Sequence, residues 1–288
     1  MAFLNVYFFS EVLGKQVQMN VILPQRSRGQ IGLDSISEKA ETYPTLYLLH
    51  GMSDDHTIWE RRTSIERYAS EKGIAVVMPD GDLSWYTDMK HGQNYFTFMA
   101  DELPAVCRDF FPKMSPRRED TFVAGLSMGG YGAFKLGLRC PETFSCAASL
   151  SGALDFGTFY DRTKPGFAEL IAGDHDTEFV GSDNDLFAVA ERLIKSGRPL
   201  PKLWQWCGTE DFLIGDNRRM RDHLLNLGYD LTYQESEGNH NWACWDKWIQ
   251  AILEWLPIKH IIDEVQINLF REVEYGTLNK IGGIKGYI

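Results

Sequence analysis

The feature that most constrains the fold of this chain is a serine between two glycines at the end of an apolar run. The stretch reads Thr121-Phe-Val-Ala-Gly-Leu-Ser127-Met-Gly-Gly-Tyr-Gly-Ala. In a G-x-S-x-G pattern a strand turns sharply into a helix, and the serine at the apex is held in a strained conformation that exposes its hydroxyl. Gly125 and Gly129 flank Ser127 because side chains there would collide across the turn. The stretch predicts a nucleophile elbow; the alternative is an ordinary glycine-rich turn with an exposed serine.

Two nucleotide-binding motifs are alternative interpretations of these glycines. The spacing from Gly125 to Gly130 fits a phosphate-binding loop, but Tyr131 and Gly132 stand where that loop needs Lys and Ser or Thr. A G-x-G-x-x-G segment does not follow any predicted strand, so a dinucleotide has no support. The glycine motifs therefore do not predict a nucleotide site.

Apolar runs and helical patterns alternate along most of the chain. Strands are predicted at residues 3–9, 16–23, 45–51, 74–78, 121–126, 144–150, 203–207 and 231–234. Helices are predicted at residues 59–72, 96–111, 187–195, 218–227 and 242–256, with another after the elbow that ends before Pro141. Continuous apolar strands are typical of a sheet that is covered on both faces. The pattern predicts an α/β fold with a mostly parallel central sheet flanked by helices, and an antiparallel hairpin at the N-terminus.

Composition narrows the partners and the compartment. A chain of 288 residues with 44% hydrophobic content can bury the core of one large α/β domain. The net charge of −11 argues against binding to nucleic acid. Five scattered cysteines without a C-x-x-C pair indicate neither a disulfide framework nor a zinc site. Without a basic leader or an apolar run of about eighteen residues, we expect a cytoplasmic protein with no membrane partner.

The strand at 45–51 ends in His50-Gly51-Met52-Ser53. A loop that follows such a strand has free backbone N–H groups, and a developing oxyanion needs two donors. We predict the N–H groups of Met52 and Met128 as those donors.

The next three residues, Asp54-Asp55-His56, bring possible metal ligands together. Gly51 and Ser53 occupy positions where an H-x-H-x-D-H motif needs histidines. We therefore expect no metal site, and interpret this segment as a polar loop before a helix.

A nucleophilic serine needs a base and a carboxylate that orients the base. Asp211 follows the strand at 203–207 in a glycine-containing loop, and His240 lies in a glycine-containing loop after the last predicted strand. The order Ser127, Asp211, His240 is the order of the α/β-hydrolase fold. The alternative interpretation of His240 is an ordinary surface histidine. Four other carboxylates compete with Asp211 for the role of the acid: Glu210, Asp216, Asp174 and Asp176.

Two segments are candidates for shaping a substrate pocket. Residues 80–94 form a predicted loop that contains Trp85 and Tyr86, which would either wall the pocket or support the loop from below. Residues 155–200 are the least regular part of the chain and suit either a substrate lid or a crossover connection. Residues 25–42 are polar and predict a surface loop.

Five segments together resemble the tributyrin-esterase branch of the esterase D family, which is related to S-formylglutathione hydrolases and feruloyl esterases. They are Leu49-His-Gly-Met-Ser53, Ser84-Trp-Tyr-Thr-Asp88, the elbow, Gly208-Thr-Glu-Asp211 and Gly238-Asn-His-Asn-Trp242. The resemblance spans residues 2–257 and implies a cytoplasmic carboxylesterase for short acyl esters. Its triad would be Ser127, Asp211 and His240, with no cofactor.

Several alternatives stay open within this resemblance. A thioesterase like the S-formylglutathione hydrolases, or a deacetylase or feruloyl esterase acting on sugar esters, would use the same triad. A catalytically silent binding module with the same fold is the non-enzyme alternative. We expect a hydrolase domain at 1–257 and a C-terminal extension at 258–288, whose apolar residues suit either covering a sheet edge or pairing with a second copy in a homo-oligomer.

Overall fold

The computed structural model describes residues 1–25 and 41–258. Most of the predicted surface loop at 25–42, and the extension beyond Ile258, lie outside the described residues.

A single eight-stranded sheet forms the centre of the described chain. Neighbouring strands follow the order β1-β2-β4-β3-β5-β6-β7-β8. The strands β1 and β2 pair antiparallel, as do β2 and β4, whereas all pairs from β4 to β8 are parallel. The predicted fold class, including the N-terminal hairpin, is confirmed. The strands are β1 (Ala2–Ser10), β2 (Lys15–Leu23), β3 (Thr45–Leu49), β4 (Ala75–Pro79), β5 (Thr121–Leu126), β6 (Cys146–Leu150), β7 (Lys202–Gly208) and β8 (Leu231–Ser236).

Helices cover both faces of this sheet. They are α1 (Ile58–Arg62), α2 (Ile65–Lys72), α3 (Tyr95–Thr97), α4 (Leu103–Phe110), α5 (Met128–Arg139), α6 (Phe159–Arg162), α7 (Phe167–Ala172), α8 (Leu186–Ser196), α9 (Ile214–Leu227) and α10 (Trp242–Trp255). A π-helical turn, Phe98–Glu102, joins α3 to α4, so these elements together correspond to the helix predicted at 96–111.

Two apolar layers explain why the strands read as continuous apolar runs. Side chains of a strand alternate between the faces of the sheet. Val123 of β5 packs into a core shared with α4, α5, α8 and α9, whereas its neighbour Phe122 packs into a second core shared with α1, α2 and α10. Both faces of the parallel strands are therefore buried.

The predicted helix at 59–72 is wrong in one respect, because it is broken into α1 and α2. Thr63 has an extended backbone with φ −136° and ψ 174°. Its hydroxyl donates to the Trp59 carbonyl at 2.6 Å and accepts the N–H of Ile65 at 3.1 Å. Threonine side chains that bond to the backbone in this way compete with helical hydrogen bonds and end the helix.

The parallel strands direct the loops that follow β3, β5, β7 and β8 to the same edge of the sheet. Strand β5 lies between β3 and β6, where the chain order reverses. Open α/β sheets bind ligands at such a point, outside the carboxyl ends of the strands.

Candidate active site

Ser127 stands alone between the end of β5 and the start of α5. Its φ of 52° and ψ of −116° are strained for a residue with a side chain. A Cβ on Gly125 would lie 2.3 Å from the carbonyl oxygen of Gly129, and a Cβ on Gly129 would lie 2.5 Å from that of Leu49. Only glycine fits at these two positions, and the turn has the geometry predicted for a nucleophile elbow.

A chain of hydrogen bonds joins the serine to a histidine and a carboxylate. The Ser127 hydroxyl donates to Nε2 of His240 at 3.1 Å, and Nδ1–H of His240 donates to Oδ2 of Asp211 at 2.9 Å. The other carboxylate oxygen of Asp211 accepts the N–H of Leu213 at 2.9 Å. Because Nδ1 faces a buried carboxylate, it holds the proton and leaves Nε2 free to accept one from the serine.

The loops that carry Asp211 and His240 are bonded to each other. The N–H of Glu210 donates to the carbonyl of Gly238 at 3.1 Å, and the N–H of Gly238 donates to the Glu210 carboxylate at 2.6 Å. This donor holds the pKa of the Glu210 carboxyl below its usual value. Glu210, a sequence competitor for the acid, therefore ties the two loops together.

The other competing carboxylates make different contacts. Asp216 is buried and accepts two hydrogen bonds from Arg162, at 2.7 and 3.0 Å, and one from Arg219 at 2.8 Å. The ion pair with Arg162 connects the insertion at 155–200 to α9, whereas the pair with Arg219 lies within α9. Asp174 and Asp176 contact residues of their own turn within the insertion. Of the five carboxylates considered, Asp211 is the one whose carboxylate contacts the His240 ring.

The loop after β3 lies directly against the serine. A Cβ on Gly51 would come within 3.5 Å of Cβ of Ser127. The backbone N–H groups of Met52 and Met128 find no hydrogen-bond partner among the residues that the structure describes. Met52 directly follows Gly51, which lies against Ser127, and Met128 directly follows Ser127 in sequence.

His50 fixes the start of this loop. Its Nε2 accepts the N–H of Gly81 at 2.8 Å, and its Nδ1 consequently carries the proton and donates to the Gly51 carbonyl at 2.8 Å. The ring is buried, with a relative exposure of 1%. This histidine therefore holds backbone groups in place rather than facing the serine.

Trp85 and Tyr86, the predicted pocket residues, are both buried. The Tyr86 hydroxyl donates to the His50 carbonyl at 2.9 Å, and a Cβ on Gly132 would lie 2.4 Å from the Tyr86 ring. Such contacts are those of a residue that supports the loop from below. The Trp85 ring instead meets the insertion, with Phe159 at 4.3 Å between ring centroids.

Two aromatic residues that sequence reasoning did not assign flank the histidine. The ring centroids of Phe212 and His240 are 4.7 Å apart, and those of Trp245 and His240 are 4.9 Å apart. Trp245 is buried and its indole N–H donates to the Ser151 hydroxyl at 3.2 Å, whereas Phe212 is 65% exposed. The sequence signal that could have identified Phe212 is its position directly after Asp211.

Within 1–25 and 41–258, no helix has the length and apolar character needed to span a membrane. In the same ranges, His, Cys, Asp and Glu side chains do not gather in groups of three or more that would hold a metal ion.

The family model and a relative that covers nearly the whole chain are both esterases. The family model described as "Putative esterase" matches residues 10–256. An acetyl esterase of Caldicellulosiruptor saccharolyticus is 33% identical over 270 residues, which cover 89% of this chain and 98% of that relative.

Two solved structures from Staphylococcus aureus are similar over nearly their whole length. The substrate-bound fluorophosphonate-binding serine hydrolase F superimposes with a TM-score of 0.80 at 32% identity, covering 88% of this chain and 98% of that one. An S-formylglutathione hydrolase without ligand superimposes with a TM-score of 0.78, at the same identity and coverage.

Proposed function

The chain belongs to this esterase family and is a carboxylic ester hydrolase, and from that premise we propose that it cleaves short-chain acyl esters through an acyl-enzyme on Ser127. The observation that carries the proposal is the hydrogen-bond chain from Asp211 through His240 to Ser127, with distances of 2.9 and 3.1 Å.

The reaction proceeds in two acyl transfers. His240 takes the proton of Ser127 as the serine oxygen attacks the ester carbonyl, and the N–H groups of Met128 and Met52 stabilise the oxyanion. The imidazolium then gives its proton to the alcohol oxygen, the C–O bond breaks, and the alcohol leaves. Water repeats the sequence on the acyl-enzyme and releases the acid. Asp211 orients the imidazole and stabilises its charge throughout.

The aromatic residues around Trp85 support the proposal that the acyl group of the substrate is short. Its ring lies 4.9 Å from Phe156 and 4.3 Å from Phe159 between centroids, which leaves little room for a long chain on that side. The similarity to an acetyl esterase points the same way. Both observations support our proposal that the chain is a member of the tributyrin-esterase branch.

Thioester hydrolysis is the second candidate, because the chain is 32% identical to an S-formylglutathione hydrolase. The triad does not distinguish an oxygen from a sulfur leaving group. Parallel assays of p-nitrophenyl acetate and S-formylglutathione, each with the wild type and Ser127→Ala, test both candidates. Turnover of either substrate that survives Ser127→Ala would exclude the acyl-enzyme on this serine.

The remaining proposals concern the context of the enzyme. Residues 1–257 form the hydrolase domain and residues 258–288 an extension to it. A cytoplasmic location is supported by the cysteines, since all five are free. The substrate is a small ester. Whether the enzyme forms a homo-oligomer is tested by size-exclusion chromatography with light scattering.

A further inference from the structure

Phe212 occupies an unusual position for an exposed aromatic residue. Its ring is 65% exposed and lies 4.7 Å from the imidazole of His240 between centroids, at an interplanar angle of 50°. Single exposed apolar residues are common on protein surfaces. This one, however, is in contact with the group that delivers protons in the proposed reaction.

The chemistry of acyl transfer places the alcohol part of the substrate next to this ring. His240 must protonate the leaving oxygen, so that oxygen lies within hydrogen-bond reach of Nε2. Trp245 also packs against the imidazole, at 4.9 Å between centroids and an interplanar angle of 90°, but it is buried and offers no exposed ring surface to a substrate. An alcohol larger than methanol, extending from the leaving oxygen past His240, therefore meets the exposed Phe212 ring.

Charge in the two loops restricts the alcohol further. Glu210 and Glu237 are exposed in the loops that carry the buried Asp211 and His240 respectively, and neither residues 209–213 nor residues 237–241 contain Lys or Arg. An anionic leaving group would be repelled here, whereas a neutral one would not.

We propose that Phe212 is a binding platform for the leaving alcohol, and that the enzyme prefers esters whose alcohol is neutral and carries a six-membered ring, as in an acylated sugar or a phenyl ester. The inference rests on the proposed function, since it assumes an acyl-enzyme on Ser127. Apolar contact with one ring face gives the preference.

The test compares three acetyl esters that share one acyl group: methyl acetate, phenyl acetate and a mono-acetylated methyl xyloside. For each, kcat/KM of Phe212→Ala is divided by that of the wild type, which cancels the different intrinsic reactivities. We expect a loss of about tenfold, or about 1.4 kcal/mol, for the two ring-bearing esters, and a change of less than about twofold for methyl acetate. Phe212→Tyr keeps a ring and should retain most of the wild-type activity.

A fluorophosphonate provides a second readout, because its leaving group is fluoride and not an alcohol. Its rate of labelling Ser127 should be the same in Phe212→Ala and the wild type. The matched control is Phe9→Ala, which removes a ring that is 50% exposed on β1, four strands away from β5. All activities of the control should equal those of the wild type.

Each outcome decides whether Phe212 binds the leaving alcohol or only supports His240. Loss with the phenyl ester alone identifies a phenolic alcohol, and loss with the xyloside alone identifies a sugar; both support the platform. An equal loss for all three esters, together with slower labelling, overturns it and makes Phe212 a support for His240. Three unchanged ratios also overturn it. If the wild type cleaves none of the esters and Ser127 is not labelled, the proposed function itself fails.

Discussion

Two buried carboxylates five positions apart offer a controlled comparison of chemistry and stability. Asp211 contacts the His240 ring, whereas Asp216 contacts two arginines. Replacing each by asparagine keeps the size of the side chain and removes its charge. The two variants should therefore separate a loss of turnover from a loss of folding free energy.

Asp211→Asn should lower kcat by about 10⁴, which corresponds to about 5.5 kcal/mol of transition-state stabilisation. The Oδ2 that accepts Nδ1–H at 2.9 Å would become an amide nitrogen, which donates. The His240 proton would then move to Nε2, and that atom could no longer accept the proton of Ser127. Substrate binding should change little.

Asp216→Asn should instead lower the free energy of unfolding by roughly 1–3 kcal/mol. Removing one partner of a fully buried ion pair costs about 3–5 kcal/mol, but the Arg162 and Arg219 side chains are 41% and 49% exposed. Water can therefore take over part of their charge, which reduces the loss. The melting temperature should fall by roughly 3–10 °C, with kcat within about tenfold of the wild type.

The assays are p-nitrophenyl acetate hydrolysis and thermal unfolding followed by circular dichroism, on both variants and the wild type. A larger drop in kcat for Asp216→Asn than for Asp211→Asn would exchange the roles of the two residues. Wild-type kcat in Asp211→Asn would refute the triad.

Three other substitutions, one of them with a matched control, test the nucleophile, the acyl pocket and the packing of Tyr86. Ser127→Ala should lower ester turnover by roughly 10⁴- to 10⁶-fold with the fold intact, and a fluorophosphonate should label only Ser127 in the wild type; a second labelled serine would contradict the assignment. The activity of the wild type should be highest for acyl chains from acetyl to butyryl and low for octanoyl. Trp85→Ala should move this maximum to longer chains, each added methylene contributing up to about 0.8 kcal/mol, and an unchanged acyl profile would place the pocket wall elsewhere. Gly132→Ala should lower the free energy of unfolding by roughly 1–3 kcal/mol, because its Cβ would lie 2.4 Å from the Tyr86 ring. The control is Gly215→Ala in α9, whose Cβ would lie 3.6 Å from the Arg219 guanidinium and should cost nothing. Equal melting temperatures of the two variants would show that the Tyr86 contact relaxes freely.

The elements and the elbow were predictable from the sequence because their causes are local. Continuous apolar runs predicted strands covered on both faces, and these are the parallel strands of the sheet. The glycines around Ser127 reflect a steric demand between atoms only a few residues apart, such as the 2.3 Å between a Cβ on Gly125 and the Gly129 carbonyl. The break at Thr63 escaped prediction because a hydroxyl competes there with helical bonds, which a periodic pattern does not register.

Contacts between distant loops were decided by the tertiary structure. The order of Ser127, Asp211 and His240 predicted a triad, but their hydrogen bonds join positions 113 and 29 residues apart. Sequence could rank Asp211 above Asp216 only by position, whereas packing brings one to an imidazole and the other to Arg162. Such contacts depend on where the sheet directs each loop. Periodicity records only whether a residue faces the core, and not which residue it meets there.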